Sequence, residues 1–141
     1  MFLLENEILK VEVSAKGAEL RRLFHKIHQL DYLWNGDPAV WGKHSPVLFP
    51  FVGELKNGTY YYQGKPYKMS RHGFAREKDF IPEKQSPAEL VFLLRSDAET
   101  RKIYPFDFEF RIRYVLDGDE LSTEYQVKNT GPGLLLFSVG G

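Results

Sequence analysis

The chain has 141 residues, with 19 basic and 19 acidic side chains, four histidines and no cysteine. That length predicts one domain, or part of one, able to bury a core. Zero net charge argues against a nucleic-acid or membrane-surface partner, and the lack of cysteine and of a His-x-x-x-His pair excludes disulfides, thiolate chemistry and an ordinary zinc site.

Aromatic residues make up 15% of the chain, which favours β structure. The apolar start at Phe2–Leu3–Leu4 is too short for a signal peptide or a membrane span, so a cytoplasmic protein is expected. In residues 7–14, Leu9, Val11 and Val13 alternate with Lys10, Glu12 and Ser14, the period of a half-buried strand. Gly17 permits a turn, and Ala18 to Phe24 reads as the return strand. His25 and His28 fall in a polar connection and are expected to be solvated.

Asp31 to Trp34 reads as a short strand, stopped by the turn signal Asn35–Gly36–Asp37–Pro38. Trp34 and Trp41 bracket that turn; they either offer ring faces to the C–H groups of a sugar or serve as packing. Residues 45–53 are apolar but carry Pro46 and Pro50, which exclude a central strand through both positions. An irregular buried crossing beneath a site is expected, with Lys43 and His44 just upstream and able to reach that site. Asn57–Gly58 is a turn, and Thr59–Tyr62 and Tyr67–Ser70 are the arms of a hairpin joined through Gln63 to Pro66.

The hairpin delivers the chain into Ser70–Arg71–His72–Gly73–Phe74–Ala75–Arg76, its densest concentration of chemistry. An imidazole exchanges protons near neutral pH, and a guanidinium offers a planar fork of donors to hydroxyls, carboxylates or phosphates. These groups can line a polar pocket for a small oxygen-rich ligand; equally, such charges are common as solvated loop residues. Beyond the loop, Lys78 to Pro82 starts a strand closed by its proline, and Ala88 to Arg95 is an interior strand. Ser96 and Glu99 have the spacing of a capping box, opening a short helix that Pro105 ends. Phe106, Phe108, Phe110, Ile112 and Tyr114 alternate with Asp107, Glu109, Arg111 and Arg113, so one face is core and the other polar. Asp117–Gly118 turns the chain, residues 121–128 return, and 134–139 form a last apolar strand. That run meets Gly140–Gly141 with no polar tail. The chain is therefore expected to be a piece of something longer, or to pair this exposed edge with a partner or a second copy. The whole reads as an antiparallel β sandwich.

Four stretches carry a resemblance that covers essentially the whole chain: Gly17–Ala18–Glu19–Leu20, residues 45–53, His72–Gly73–Phe74–Ala75–Arg76, and Tyr104–Pro105–Phe106–Asp107–Phe108. Together they resemble the aldose 1-epimerase (galactose mutarotase-like) family, in its LacX-like and hexose-6-phosphate epimerase-like branch. The resemblance implies an antiparallel β supersandwich, incomplete here, of which residues 1–141 are the N-terminal part of a single domain. It also implies interconversion of the anomers of a hexose or hexose phosphate by proton transfers that need no cofactor. His72 matches an active-site histidine that positions the sugar. Arg76 matches an arginine of the same motif, with a structural ion pair as the alternative role; Arg71 and Lys43 are further candidate contacts. In the family, the stretch resembling Phe137 to Gly141 leads into a histidine general acid, and a glutamate base follows much later. Neither is in this chain, which is expected to be inactive alone. The alternative is a non-catalytic sugar-binding module.

Overall fold

The computed structural model describes residues 1–141 and consists of ten strands, one short helix and two 3-10 turns. A first sheet runs in sequence order: β1 (Phe2–Glu5), β2 (Leu9–Val13), β3 (Leu20–His25) and β4 (Leu30–Asp31), all antiparallel. A second runs β7 (Ile81–Gln85), β8 (Glu89–Arg95), β9 (Phe108–Asp117) and β10 (Glu120–Asn129), also antiparallel. Between them in sequence lies a separate hairpin of β5 (Thr59–Tyr62) and β6 (Lys65–Lys68). Helix α1 (Ala98–Ile103) connects β8 to β9. No helix is long and apolar enough to cross a membrane.

Alternation decides which faces meet. Leu9, Val11 and Val13 of β2 are buried, as are Phe108, Phe110, Ile112, Tyr114 and Leu116 of β9, and all belong to one apolar cluster that joins the two sheets. Phe2 packs edge-on to Phe92 across the interface, centroids 5.0 Å apart. The Tyr114 hydroxyl, wholly inside, donates to the Ala18 carbonyl at 2.8 Å. At the cluster's centre Phe49 stacks on Phe110 at 4.4 Å and meets Phe74, Tyr104 and Phe108 edge-on. This is the antiparallel sandwich that the alternation predicts.

The opposite face of the second sheet is ionic. Arg111 forks onto Glu83 at 2.6 and 3.0 Å and reaches Glu109 at 2.7 Å, and Arg113 links Glu89 and Glu124. Lys84 also pairs with Glu89.

Several elements differ from the sequence expectation. β1 has no sequence signal, because four residues are too few to establish a period. β3 begins at Leu20, since Gly17 and Ala18 both take positive φ in the preceding turn. The strand expected over Asp31 to Trp34 is only Leu30–Asp31, and Trp34 lies outside it. The second arm of the hairpin is Lys65–Lys68, so the turn is Gln63–Gly64 alone. Pro82 does not close a strand but sits inside β7, tolerated because β7 is an edge strand with a bulge beside it. The helix is capped by Asp97, not Ser96: its carboxylate accepts from the Thr100 N–H at 2.7 Å, and the Thr100 hydroxyl accepts from the Asp97 N–H at 2.8 Å. The strand expected at 134–139 is not formed. Ser138 and Gly140 bond to the crossing at Pro50 and Leu48, but Pro50 has no N–H to return, and the ladder stops there. The edges of the second sheet are β7 and β10, and Leu134, Leu136 and Phe137 remain exposed.

Candidate functional site

The crossing at 45–53 and the loop at 70–77 are bolted together by their backbones. The Phe49 carbonyl accepts from the N–H groups of both Phe74 and Ala75, at 3.0 and 3.1 Å. Gly73, at φ +74°, lies so close that a Cβ there would stand 2.2 Å from the Phe49 oxygen. Ser70 and Gly73 close the loop on each other, the hydroxyl donating to the Gly73 carbonyl at 2.9 Å.

His72 takes a left-handed φ of 66°, uncommon for a residue with a side chain. It grips Gly53 twice. Its backbone N–H donates to the Gly53 carbonyl at 2.8 Å, and its ring Nδ1 accepts from the Gly53 N–H at 2.9 Å. That second bond fixes the neutral tautomer with hydrogen on Nε2, which has no partner within the protein. Phe74, buried beside it, packs on Phe49 and serves as the loop's anchor.

His72 lines a cavity of about 600 Å³ together with Trp41, Lys43, His44, Arg71 and Arg76, among others. The structure thus gathers Lys43, Arg71, His72 and Arg76, four residues singled out in the sequence, around one hollow. Arg76 forms no ion pair; Nη2 donates to the Arg71 carbonyl at 2.7 Å, and Nε is buried without a partner. The structural ion pair considered for it is absent. Lys43 is tethered: Glu77 accepts from it at 3.2 Å and pairs with Lys16 at 3.1 Å, and these two ammonium groups, Lys16 first, hold the Glu77 carboxyl below its ordinary value. No acidic side chain lines the hollow, so its side chains set a positive field, suited to oxygen-rich or anionic ligands. No three His, Asp or Glu side chains converge as metal ligands.

One participant escapes a reading of the sequence. Glu19, nearly buried, accepts through Oε1 from the N–H groups of His44 and Ser45, at 3.0 and 3.1 Å, and through Oε2 from Arg21 at 3.0 Å. It thereby sets the entry of the crossing, from a position 25 residues upstream of His44. Trp41 forms one wall, and its carbonyl accepts from the Trp34 indole N–H at 2.7 Å. His25 and His28 do not line the hollow; His28 is exposed as expected, but His25 is the half-buried last residue of β3 and not part of the polar connection, and the two rings meet at a tilt with centroids 4.3 Å apart.

The aldose 1-epimerase family model matches residues 1–141. The chromosomal LacX protein of Lactococcus lactis subsp. lactis is 36% identical over 131 residues, which cover 89% of this chain and 44% of that protein. Among solved structures, a galactose mutarotase related enzyme from Lactobacillus acidophilus superposes with a TM-score of 0.96 at 41% identity, covering 98% of this chain and 46% of that one. A galactose mutarotase-like protein from Lactobacillus casei ATCC 334 gives 0.95 at 35% identity, covering 99% and 47%. The chain spans less than half the length of each of these relatives.

Proposed function

Because this chain belongs to the aldose 1-epimerase family, we propose that it forms the sugar-holding side of a site that interconverts the α and β anomers of a hexose or hexose phosphate. The observation that carries the reading is the setting of His72: Nδ1 is engaged by Gly53, and Nε2–H is the free donor of a ring lining a cationic cavity.

Anomer exchange requires a proton to be delivered to the ring oxygen while another is taken from the C1 hydroxyl. The ring opens, the C1–C2 bond rotates, and closure occurs on the other face. In this reading the His72 Nε2–H donates to a sugar oxygen beside the reacting carbon and holds it for proton transfer. The forks of Arg71 and Arg76 bind hydroxyls, or a phosphate where the substrate carries one, and Lys43 adds a point charge. Arg76 Nε, buried and unpartnered, supports a role toward a bound acceptor, since such a group is costly to leave unsatisfied. The general acid and base, each contributing roughly 10²–10⁴-fold, are assigned to the part of the domain that the relatives have beyond this length. On that assignment residues 1–141 are the N-terminal part of one domain, and the rest of the domain covers Leu134, Leu136 and Phe137.

The test separates anchoring from substrate contact. In His72→Asn the amide oxygen replaces Nδ1, and asparagine tolerates the left-handed backbone; Nε2 is lost. Titration with glucose, galactose and glucose 6-phosphate, followed by tryptophan fluorescence, is expected to give millimolar binding in the wild type and loss in His72→Asn at unchanged melting temperature. Polarimetry of freshly dissolved α-glucose is expected to show no acceleration by this chain. Unaltered sugar binding by His72→Asn, or no wild-type response, refutes the reading; acceleration refutes the assignment of the acid and base elsewhere.

A further inference from the structure

We propose that the segment from Leu33 to Lys43 is a flap, which moves as one body and closes over a ligand in the first cavity. Closure over a sugar rests on the reading of that cavity; the motion itself does not. The backbone last joins the first sheet where the Tyr32 N–H donates to the Leu23 carbonyl at 2.8 Å, and rejoins the body where the His44 N–H reaches Glu19 at 3.0 Å. Between these points every hydrogen bond of the backbone stays inside the segment. None of its residues is buried, and none packs on the apolar cluster. Its one polar tie to the body is the exposed pair Lys43–Glu77 at 3.2 Å, of a kind that holds weakly.

Internally the segment is closed. The Trp34 indole N–H donates to the Trp41 carbonyl at 2.7 Å and draws the two ends together in the manner of an Ω-loop. Inside it, the Asp37 carbonyl accepts from Val40 and Trp41. Segments with few buried contacts are the first to open, and this one is tied at its neck and hardly at its sides. Space lies on both sides of it. Trp41 and Lys43 form one wall of the first cavity, of about 600 Å³. Leu33, Trp34 and Asn35 line, with Arg21 and Arg22 of β3, a second hollow of about 310 Å³. The flap is therefore a partition between two hollows, with room to swing back into the second and open the first. His44, at the rear hinge, lines both and is the stop: Gly36 lies so close to its ring that an added Cβ would stand 2.1 Å from Cε1. Closing such a partition excludes water and brings Trp41 and Lys43 onto the ligand.

Relaxation-dispersion NMR of the chain tests the motion, because both of its tryptophans are on the flap and give two indole signals. The indoles and the amides of 33–43 are expected to fit one exchange rate on the μs–ms scale of lids, absent from β2 and β9. Whichever of glucose, galactose and glucose 6-phosphate binds is expected to remove that exchange at saturation. Flat profiles across 33–43, or separate rates for the two indoles, overturn the flap. Exchange that persists under saturating ligand overturns closure and leaves the cavity's reading standing. If none of the three ligands shifts a signal of the His72 loop, the sugar reading fails, and closure over a sugar with it. A second measurement needs no ligand. Gly36 and Gly118 both take positive φ, +73° and +56°, so alanine is strained at either. In a flap that strain is released by local opening while the core stays folded. Gly36→Ala is therefore expected to shift the urea midpoint, read by circular dichroism, less than Gly118→Ala does. An equal or larger shift overturns the proposal.

Discussion

Replacing Gly73 by alanine puts the fit between the His72 loop and the crossing beneath it to a quantitative test. Two costs add. Alanine at φ +74° incurs the left-handed penalty of roughly 1–2 kcal/mol. Its Cβ would also lie 2.2 Å from the Phe49 oxygen and 2.5 Å from the Phe49 carbonyl carbon, backbone atoms that must retreat about 1 Å to reach ordinary contact. That retreat stretches the bonds which the Phe49 oxygen accepts from Phe74 and Ala75, worth about 1 kcal/mol each. The expected loss is therefore about 3–4 kcal/mol, a large share of the roughly 5–15 kcal/mol that holds a domain together. Gly118→Ala is the internal control, because that glycine has φ +56° but a Cβ added to it would meet nothing within 4 Å; it carries the backbone penalty alone. Urea denaturation of both variants, followed by circular dichroism and tryptophan fluorescence, gives the two losses from midpoints at constant slope. If Gly73→Ala loses no more than Gly118→Ala, close approach does not hold the loop, and the reasoning fails.

Two further outcomes follow from buried polar groups. Glu19→Ala leaves the His44 and Ser45 N–H groups without their acceptor and is expected to cost about 2–3 kcal/mol. Glu19→Gln, which keeps one carbonyl oxygen, is expected to cost less; equal midpoints for wild type and Glu19→Ala in urea would dismiss the clamp. The Tyr60 hydroxyl donates to the Ile103 carbonyl at 2.6 Å, and burial, with Tyr67 next to it, pushes its pKa up to about 12. A folded value above the unfolded one means that this group's share of stability is complete below pH about 10 and is lost as pH rises through about 12. Absorbance titration of the folded chain should show fewer phenols ionising in the ordinary tyrosine range in wild type than in urea-unfolded chain, and Tyr60→Phe should narrow that gap by one. An unchanged gap in Tyr60→Phe contradicts the assignment.

The parts of this fold that are legible in sequence are those whose two faces meet different surroundings. β9 is plain because core residues and the ion-pairing Glu109, Arg111 and Arg113 alternate from Phe108 to Tyr114. β7 is hidden because all five residues are exposed and one is proline; only its pairing with β8 makes it a strand. The run at 134–139 misleads in the opposite direction, since its composition is strand-like while its partner carries a proline where a donor is needed. In the site, Arg71, His72 and Arg76 are legible because they share one loop, and Lys43 because it flanks the proline-interrupted crossing. Glu19 is not, because the N–H groups it accepts from lie far along the chain and only the folded backbone brings them to it.

Both sheets place every strand beside its sequence neighbour. Each ladder can thus zip from a local connection, the longest being the segment with α1 between β8 and β9, with little chain entropy lost in closing it. The contacts that unite the halves span far greater separations, such as Tyr114 with Ala18 and Ser138 with Pro50. Contacts of such long sequence separation are slow to form, so the expectation is that the docking of the two meanders limits the rate of folding, which stopped-flow refolding checks. Substitutions at Phe2, Phe92 or Tyr114 should accordingly slow refolding, whereas those in the outer ionic rows should chiefly quicken unfolding.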